Sequence, residues 1–326
     1  MEQHQRIFIR DIFNYRSAIM GFAMLSIMCF HQPFTNAFPF NIFHDFGFWG
    51  VDIFLFLSGM GLVNSLKNNS IKTFFKRRFN RLIPSCVVCG TAKYIILILC
   101  SSYALVFTGN FSMIIWTFVS LYSWFVFTII ILYIISPILH LLLSKAPRLT
   151  ILCIIIVFFT NDLMIKPIIG DDWRSLFGII SWTIERLPVF TLGMFIAITN
   201  CDIDRRLYLS YISLFIAVII KTLDISNCHF IAQQSLTFLS LAIGIPSLIT
   251  LILQIIKSLP LYLLRLFNFL GSYSFEIYIF DAFYFRDLKI GLELSSPWHY
   301  LPLYFILTCM SAYLCKQLVN KLPKLR

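Results

Sequence analysis

Residues 122–143 read YSWFVFTIIILYIISPILHLLL, a stretch without a single Lys, Arg, Asp or Glu. A helix needs about 20 mainly apolar residues to cross the hydrocarbon core of a bilayer. The whole chain shares this character, because 59% of its 326 residues are hydrophobic, 13% are charged and the mean hydropathy is +0.84. Soluble domains average about 45–50% apolar and about 25% charged residues. This composition excludes a soluble or disordered protein and predicts an all-α, polytopic membrane helix bundle.

Apolar segments separated by polar residues, proline or glycine predict about ten transmembrane helices, at roughly 30 residues for each span and its loop. We expect the apolar stretch 109–121 to lie along the membrane interface, and the short segment 149–165 to be a thin or re-entrant crossing. The ten predicted spans are 14–34, 46–66, 84–106, 122–143, 149–165, 176–199, 207–223, 235–256, 266–285 and 298–318.

Lys and Arg are distributed unevenly between the two sides of these spans. One alternating set of segments carries 19 of them and the opposite set carries 4. Cytoplasmic loops are enriched in Lys and Arg, so we predict a multi-pass protein of the cell (inner) membrane with both termini in the cytoplasm. The same rule explains the net charge of +11 without a nucleic-acid partner. The polar N-terminus is unlike a secretory signal, and we expect residues 1–326 to form one membrane domain without a soluble appendage.

The nine cysteines are scattered, mostly within apolar segments. Cys86 and Cys89 form a C-x-x-C motif, but no second pair or histidine follows at the spacing of zinc ligands. We therefore predict no metal site and interpret the cysteines as small buried apolar residues.

Ionisable side chains within spans are costly in a bilayer, which makes them candidates for function. Arg16 lies near the start of the first span and His31 near its end, about 22 Å away along a helix axis. Asp52 begins the second span on the same side as His31, where a carboxylate could orient the imidazole. The alternatives are an interfacial histidine, a snorkelling arginine and an acid favoured by the helix dipole.

The loop before the third span has the strongest charge cluster of the chain. It contains Lys76, Arg77, Arg78 and Arg81, and the two spacings of three and four residues place guanidinium groups on one helix face. Such groups bind phosphate in a bidentate manner, although plain anchoring to anionic membrane lipid is an alternative.

Glu185 and Arg186 lie in the middle of the sixth span, and as adjacent helical residues they need separate partners or a shared polar cavity. A structural ion pair with another helix is the alternative reading. The ninth span contains Glu276, Tyr278 and Asp281.

Several motifs, in chain order, together resemble the acyltransferase-3 family. The segment 47–59 is similar to its G-V-D-x-F-F-x-x-S-G signature, and the first span ends in the family's histidine. The other matching segments are the arginine loop 77–84 with its R-x-x-R-x-x-P pattern, 122–137, 186–193 and 271–278.

The resemblance implies an integral-membrane O-acyltransferase that moves an acyl group, usually acetyl, from cytoplasmic acyl-CoA to a carbohydrate of the cell surface. It implies that His31 is catalytic and that Arg78 and Arg81 lie on the acyl-CoA side, with Lys76 and Arg77 beside them. Expected partners are a surface polysaccharide or lipid-linked glycan acceptor, membrane lipid and a separate extracytoplasmic protein.

Two positions depart from the family pattern. The family commonly has an arginine 11 residues before the histidine, where this chain has Met20, and we assign that role to Arg16. Many members have a histidine where this chain has Asp281, which weakens the case for an acid–base role of the ninth span.

The hypothesis is acyl transfer in which His31, oriented by Asp52, takes the proton of the acceptor hydroxyl as it attacks the thioester. Arg16, Arg186 or a helix dipole would stabilise the oxyanion, and Glu185, Arg186 and Tyr278 would contact the substrate. An acyl-enzyme on Ser58 stays open. A secondary transporter of a polysaccharide intermediate or small anion is the rival class, and it would not release free CoA.

Overall fold

The computed structural model describes residues 9–31, 46–99, 124–169, 175–199, 207–225, 233–281, 283 and 297–322. The regular structure within these ranges is helical, and no strand occurs among them. The helices are α1 (Arg16–Phe30), α2 (Trp49–Asn68), α3 (Ile71–Leu99), α4 (Trp124–Lys145), α5 (Pro147–Thr160), α6 (Lys166–Ile169), α7 (Leu176–Thr199), α8 (Leu207–Ile225), α9 (Gln233–Ser258), α10 (Leu261–Ser272), α11 (Ser274–Phe280) and α12 (Pro297–Lys321), with a π turn (Asn161–Ile165) between α5 and α6.

Each of the ten predicted spans overlaps one helix or a pair of consecutive helices among the described residues, although the third helix begins 13 residues before the predicted span. Among the described residues, seven helices are long and apolar enough to cross a membrane: α2, α4, α5 with its continuation, α7, α8, α9 and α12. The other three segments differ for visible reasons, because α1 has 15 residues, α3 is charged at its start, and the ninth segment divides at Tyr273. The chain is thus a multi-pass helical membrane protein, while ten crossings and cytoplasmic termini stay predictions. The stretch 109–121 lies outside the described residues.

The fifth segment is longer than the sequence indicated. The π turn carries α5 directly into α6, so that the segment Pro147–Ile168 has 22 residues and reaches the length of a full crossing. Lys166, which the charge count assigned to a loop, lies in the helix. The expectation of a short crossing is therefore wrong, because a polar residue that finds a partner inside the bundle does not end a membrane helix.

The centre of the bundle is built on α2 and α7, whose side chains are largely buried. The two helices cross with their backbones in contact, since a Cβ on Gly59 would meet the Phe190 carbonyl oxygen and one on Gly193 would meet that of Phe56. Lipid tails give apolar helices little reason to associate, so close backbone approach through small residues supplies much of the contact. The outer helices α4, α5, α8 and α12 expose large apolar side chains, as a surface facing lipid requires.

Replacing Gly193 with alanine should destabilise the protein, although alanine normally stabilises a helix by about 1 kcal/mol relative to glycine. The added Cβ would force α7 away from α2, and overpacking of this kind costs about 1–3 kcal/mol. Thermal unfolding of the detergent-solubilised protein measures the change. Cys153→Ala, on an exposed face of α5, is the control and should leave the unfolding temperature nearly unchanged. A Gly193→Ala protein as stable as the wild type would contradict the backbone contact.

Candidate active site

His31 follows the last residue of α1 and is paired with a carboxylate 250 residues further along the chain. Its Nδ1 lies 2.6 Å from Oδ2 of Asp281. The Asp281 side chain is 2% exposed and that of His31 is 32% exposed, so the acid is buried behind an imidazole that reaches open space. The hydroxyl of Tyr304 donates a hydrogen bond to the other carboxylate oxygen. A carboxylate held in this way assigns the proton of the neutral imidazole to Nδ1 and leaves Nε2 as the basic atom.

Asp281 occupies this position because α11 ends at Phe280. Its backbone turns to an extended conformation (φ −60°, ψ 137°), and its N–H group donates to the carbonyl of Tyr278. The departure from the family pattern weakened the case for an acid–base role of the ninth span, and the pairing of Asp281 with His31 restores that case. The signal was present in the sequence, since Asp281 was predicted at the same end of its span as His31.

Asp52 does not orient His31, so this part of the expected site is wrong. The Arg186 Nη1 atom donates to both oxygens of Asp52, at 2.9 and 2.8 Å, and both residues are buried. The guanidinium also lies 4.0 Å from the centre of the Phe238 ring. The crossing of α2 and α7 places the two side chains together, and in a medium of low polarity a full positive charge is a stronger partner for a carboxylate than a neutral imidazole.

Glu185 and Arg186 have separate partners, which is one of the two arrangements that the sequence allowed. The Glu185 Oε1 atom lies 2.5 Å from Nζ of Lys166, which follows the π turn. Lys166 also donates to Gln234 at 3.3 Å. Of the adjacent pair, Arg186 faces the cavity described next.

A cavity of about 630 Å³ lies in front of His31 and is called here the His31 cavity. It combines ionisable groups with aromatic and amide side chains. Its lining includes Phe48, Lys93, Trp124, Trp182, Arg186, Lys221, Asp224, Gln233, Gln234, Phe238, Tyr278, His31 and Asp281.

Lys93 was counted in the sequence as a residue within a span and was given no role. Its Nζ donates to the carbonyl of Ile279 at 3.0 Å and lies 5.0 Å from the centre of the Phe283 ring. The side chain is almost fully buried, yet it lines the His31 cavity. A second cationic group therefore stands beside the His31–Asp281 pair.

A smaller cavity of about 80 Å³ lies at the other end of α1 and is called here the arginine cavity. Arg16, Arg78 and Arg81 line it together with Ser58 and Met20. Arg16 thus lies in the same cavity as Met20, at the position expected of it. Lys76 and Arg77 are exposed and do not line this cavity, so the structure separates them from the three arginines.

The three arginines share a site without a compensating negative charge. No carboxylate occurs among the described residues that line the arginine cavity. The Arg78 Nη2 atom donates to the Gly61 carbonyl at 3.4 Å, and a Cβ on Gly61 would lie 2.6 Å from Nη1 of Arg16. Burial lowers the pKa of Arg78, which precedes the predicted third span; Tyr133 raises this pKa and the charges of Arg81 and Arg77 lower it. Such a cluster is suited to an anion with several oxygen atoms.

The two cavities meet at Tyr278, which lines both of them. Its ring packs against that of Phe125, with the ring centres 4.8 Å apart. Because α1 carries Arg16 at its start and is followed by His31, the cationic site and the imidazole are separated by about 22 Å along the bundle. A long, flexible substrate could therefore place its charged end at the arginines and its reactive end near His31.

The structure thus has an imidazole–carboxylate pair at one cavity and a cluster of three arginines at the other. Residues 18–317 match the family model described as acyltransferase domain, of the acyltransferase-3 family. The match covers nearly the whole chain, so this protein belongs to that family and is a membrane acyltransferase. No curated protein and no solved structure gave a significant match.

Breaking the buried Asp52–Arg186 pair from either side should be strongly destabilising. Asp52→Leu or Arg186→Met alone leaves one buried charge without its partner, at an expected cost of about 3–5 kcal/mol. The double variant removes both charges and should recover a large part of that loss. Thermal unfolding of the three proteins in detergent forms the double-mutant cycle. Additive losses would show that the two side chains act independently.

Proposed function

We propose that this protein transfers an acyl group, with acetyl as the expected group, from cytoplasmic acyl-CoA to a hydroxyl of a cell-surface or exported carbohydrate. The observation that carries the proposal is the His31–Asp281 pair, which opens into a cavity that meets the arginine cavity at Tyr278. Membership of the acyltransferase family supports the reaction type. The choice of donor and acceptor rests on the chemistry of the two cavities.

The arginine cavity supports acyl-CoA as the donor. Coenzyme A carries phosphate groups at one end and a thioester at the other, joined by a long uncharged arm. Arg16, Arg78 and Arg81 would bind phosphate oxygens, and the arm would pass Tyr278 towards His31. The cationic segments predicted on the cytoplasmic side would place this mouth where acyl-CoA is made.

The His31 cavity supports a carbohydrate acceptor. Its volume of about 630 Å³ lies in the range of pockets that bind small molecules. The Trp124 and Trp182 rings, with centres 4.9 Å apart, offer flat faces, while Gln233 and Gln234 offer both donors and acceptors for hydroxyl groups. The acceptor would be a surface polysaccharide or a lipid-linked glycan, and a separate extracytoplasmic protein would carry the product onward if one is needed.

The proposed chemistry is direct acyl transfer by general base catalysis. The Nε2 atom of His31 would take the proton of the acceptor hydroxyl while its oxygen attacks the thioester carbonyl. The tetrahedral intermediate would then collapse with cleavage of the carbon–sulfur bond, and the imidazolium would return the proton to the CoA sulfur. Asp281 would stabilise the imidazolium, in the role first given to Asp52. The Lys93 ammonium and the Arg186 guanidinium both line this cavity. Either cation would be suited to stabilise the oxyanion of the tetrahedral intermediate.

The test is the O-acetyl content of the surface polysaccharide, measured by NMR in the parent strain, a deletion strain and complemented strains at equal membrane expression. Wild type should restore acetylation to the deletion strain, and His31→Ala should not. Asp281→Asn should lower the rate of acetylation by about 10²- to 10⁴-fold, because the amide no longer stabilises the imidazolium. Acetylation that is unchanged in the deletion strain, or fully restored by His31→Ala, would contradict the proposal. A protein that moves solute without releasing free CoA would instead be a transporter.

Ser58 distinguishes direct transfer from an acyl-enzyme route. Its side chain lines the arginine cavity rather than the cavity of His31. Direct transfer predicts that Ser58→Ala slows CoA release without abolishing it, in protein reconstituted with acetyl-CoA and acceptor. Complete loss in a stably folded Ser58→Ala protein would favour a covalent intermediate on this residue.

A further inference from the structure

We infer that a polar groove between the end of α2 and the start of α3 binds the adenosine 3′,5′-bisphosphate end of the acyl donor. The inference deepens the proposed function and rests on it. The groove has a volume of about 410 Å³, within the range of small-molecule sites. It is lined by Asn64, Ser65, Asn68, Asn69, Arg77 and Arg78.

The composition of this groove points to a ligand that is both anionic and rich in hydrogen-bonding groups. Two guanidinium groups, three carboxamides and one hydroxyl line it, and no carboxylate or apolar side chain occurs among these described residues. A surface that only attracts membrane lipid needs positive charge and no such array of amides. Each carboxamide has a donor NH₂ group beside an acceptor oxygen. Adenine has an acceptor nitrogen beside a donor amino group, so the two can form a pair of hydrogen bonds.

The helical spacing turns the amides to one side. Asn64 and Asn68 are four residues apart on α2, so they project from the same helix face. The amide nitrogen of Asn69 is held by the carbonyl of Ser65, at 2.9 Å. Lys67 precedes Asn68 in sequence but does not line the groove. Its ammonium group donates to the Ala197 carbonyl of α7 at 3.4 Å.

Arg78 connects the groove to the rest of the donor site. It lines both the groove and the arginine cavity. Its Nε is a buried donor that has no hydrogen-bond partner in the part of the chain that the structure describes, which leaves it available for a ligand. Arg78 would thus bind the diphosphate at the boundary, with Arg77 on the 3′-phosphate, the adenine on the amides and the acyl arm in the arginine cavity.

The groove therefore gives a role to Arg77, which does not line the arginine cavity. Lys76, its neighbour in sequence, is exposed and lines neither the groove nor the arginine cavity. The donor would be recognised along its full length, from the adenine at the groove to the thioester near His31.

The test compares acetyl-CoA with acetyl-phosphopantetheine, which lacks the adenosine bisphosphate, for protein reconstituted in phosphatidylcholine vesicles. Arg77→Ala and Asn68→Ala should each lower kcat/KM for acetyl-CoA by about tenfold or more, as expected for losing one good polar contact. Neither should change kcat/KM for the shorter donor. Lys72→Ala removes an exposed positive charge from the same helix and should change neither value. Equal losses with both donors, or no loss, would overturn the inference.

Direct binding of adenosine 3′,5′-bisphosphate, measured by calorimetry on the detergent-solubilised protein, separates this inference from the proposed function. Wild type should bind it, and Arg77→Ala should bind it at least about tenfold more weakly. Binding with this pattern in a protein that transfers no acyl group would support the groove and contradict the proposed reaction. Transfer from acetyl-CoA in a protein that does not bind adenosine 3′,5′-bisphosphate would support the proposed reaction and contradict the role of the groove. An Arg77→Ala effect that appears only with added phosphatidylglycerol would assign the groove to a lipid headgroup and overturn the inference.

Discussion

The close crossing of helix backbones is the constraint on which the rest of this molecule depends. Because lipid offers apolar helices no hydrophobic reason to associate, glycines at the crossings let α2 approach α7 until main-chain atoms touch. That crossing brings Arg186 onto Asp52. A comparable contact at Gly21 and Gly271 joins α1 to α10, the helix that leads into α11 and Asp281. Backbone contacts at these glycines therefore help to place the polar pairs of the interior.

The ionic interactions divide into those that have partners and those that are left for a ligand. Asp52 with Arg186 and Glu185 with Lys166 are closed pairs that tie α2, α7 and the fifth segment together. The arginines at the opposite end have no such carboxylate among the residues that line their cavity. Neighbouring positive charges without a carboxylate repel one another, so this cluster is suited to an anion that arrives from outside.

The sequence predicted the helical membrane fold and the family, because each depends on residue type and spacing. It did not predict which carboxylate meets His31. Asp52 was expected at the depth of His31, and only the crossing of α2 with α7 shows that it pairs with Arg186 instead. Lys93 and Lys166 were misjudged for a related reason. Position in a span or loop says nothing about a partner on a helix far away in sequence, such as the Ile279 carbonyl or Glu185.

Tyr278 and Phe125 have a consequence for the cell as well as for the reaction. The aromatic contact is made by Tyr278, the residue that lines both the His31 cavity and the arginine cavity. Joined by a continuous column of water, those cavities would let ions flow down their gradient and discharge the membrane potential. Two packed rings present an insulating layer that admits a thin apolar chain more readily than a hydrated ion. Packing of this kind between the two cavities would limit such a leak through the enzyme.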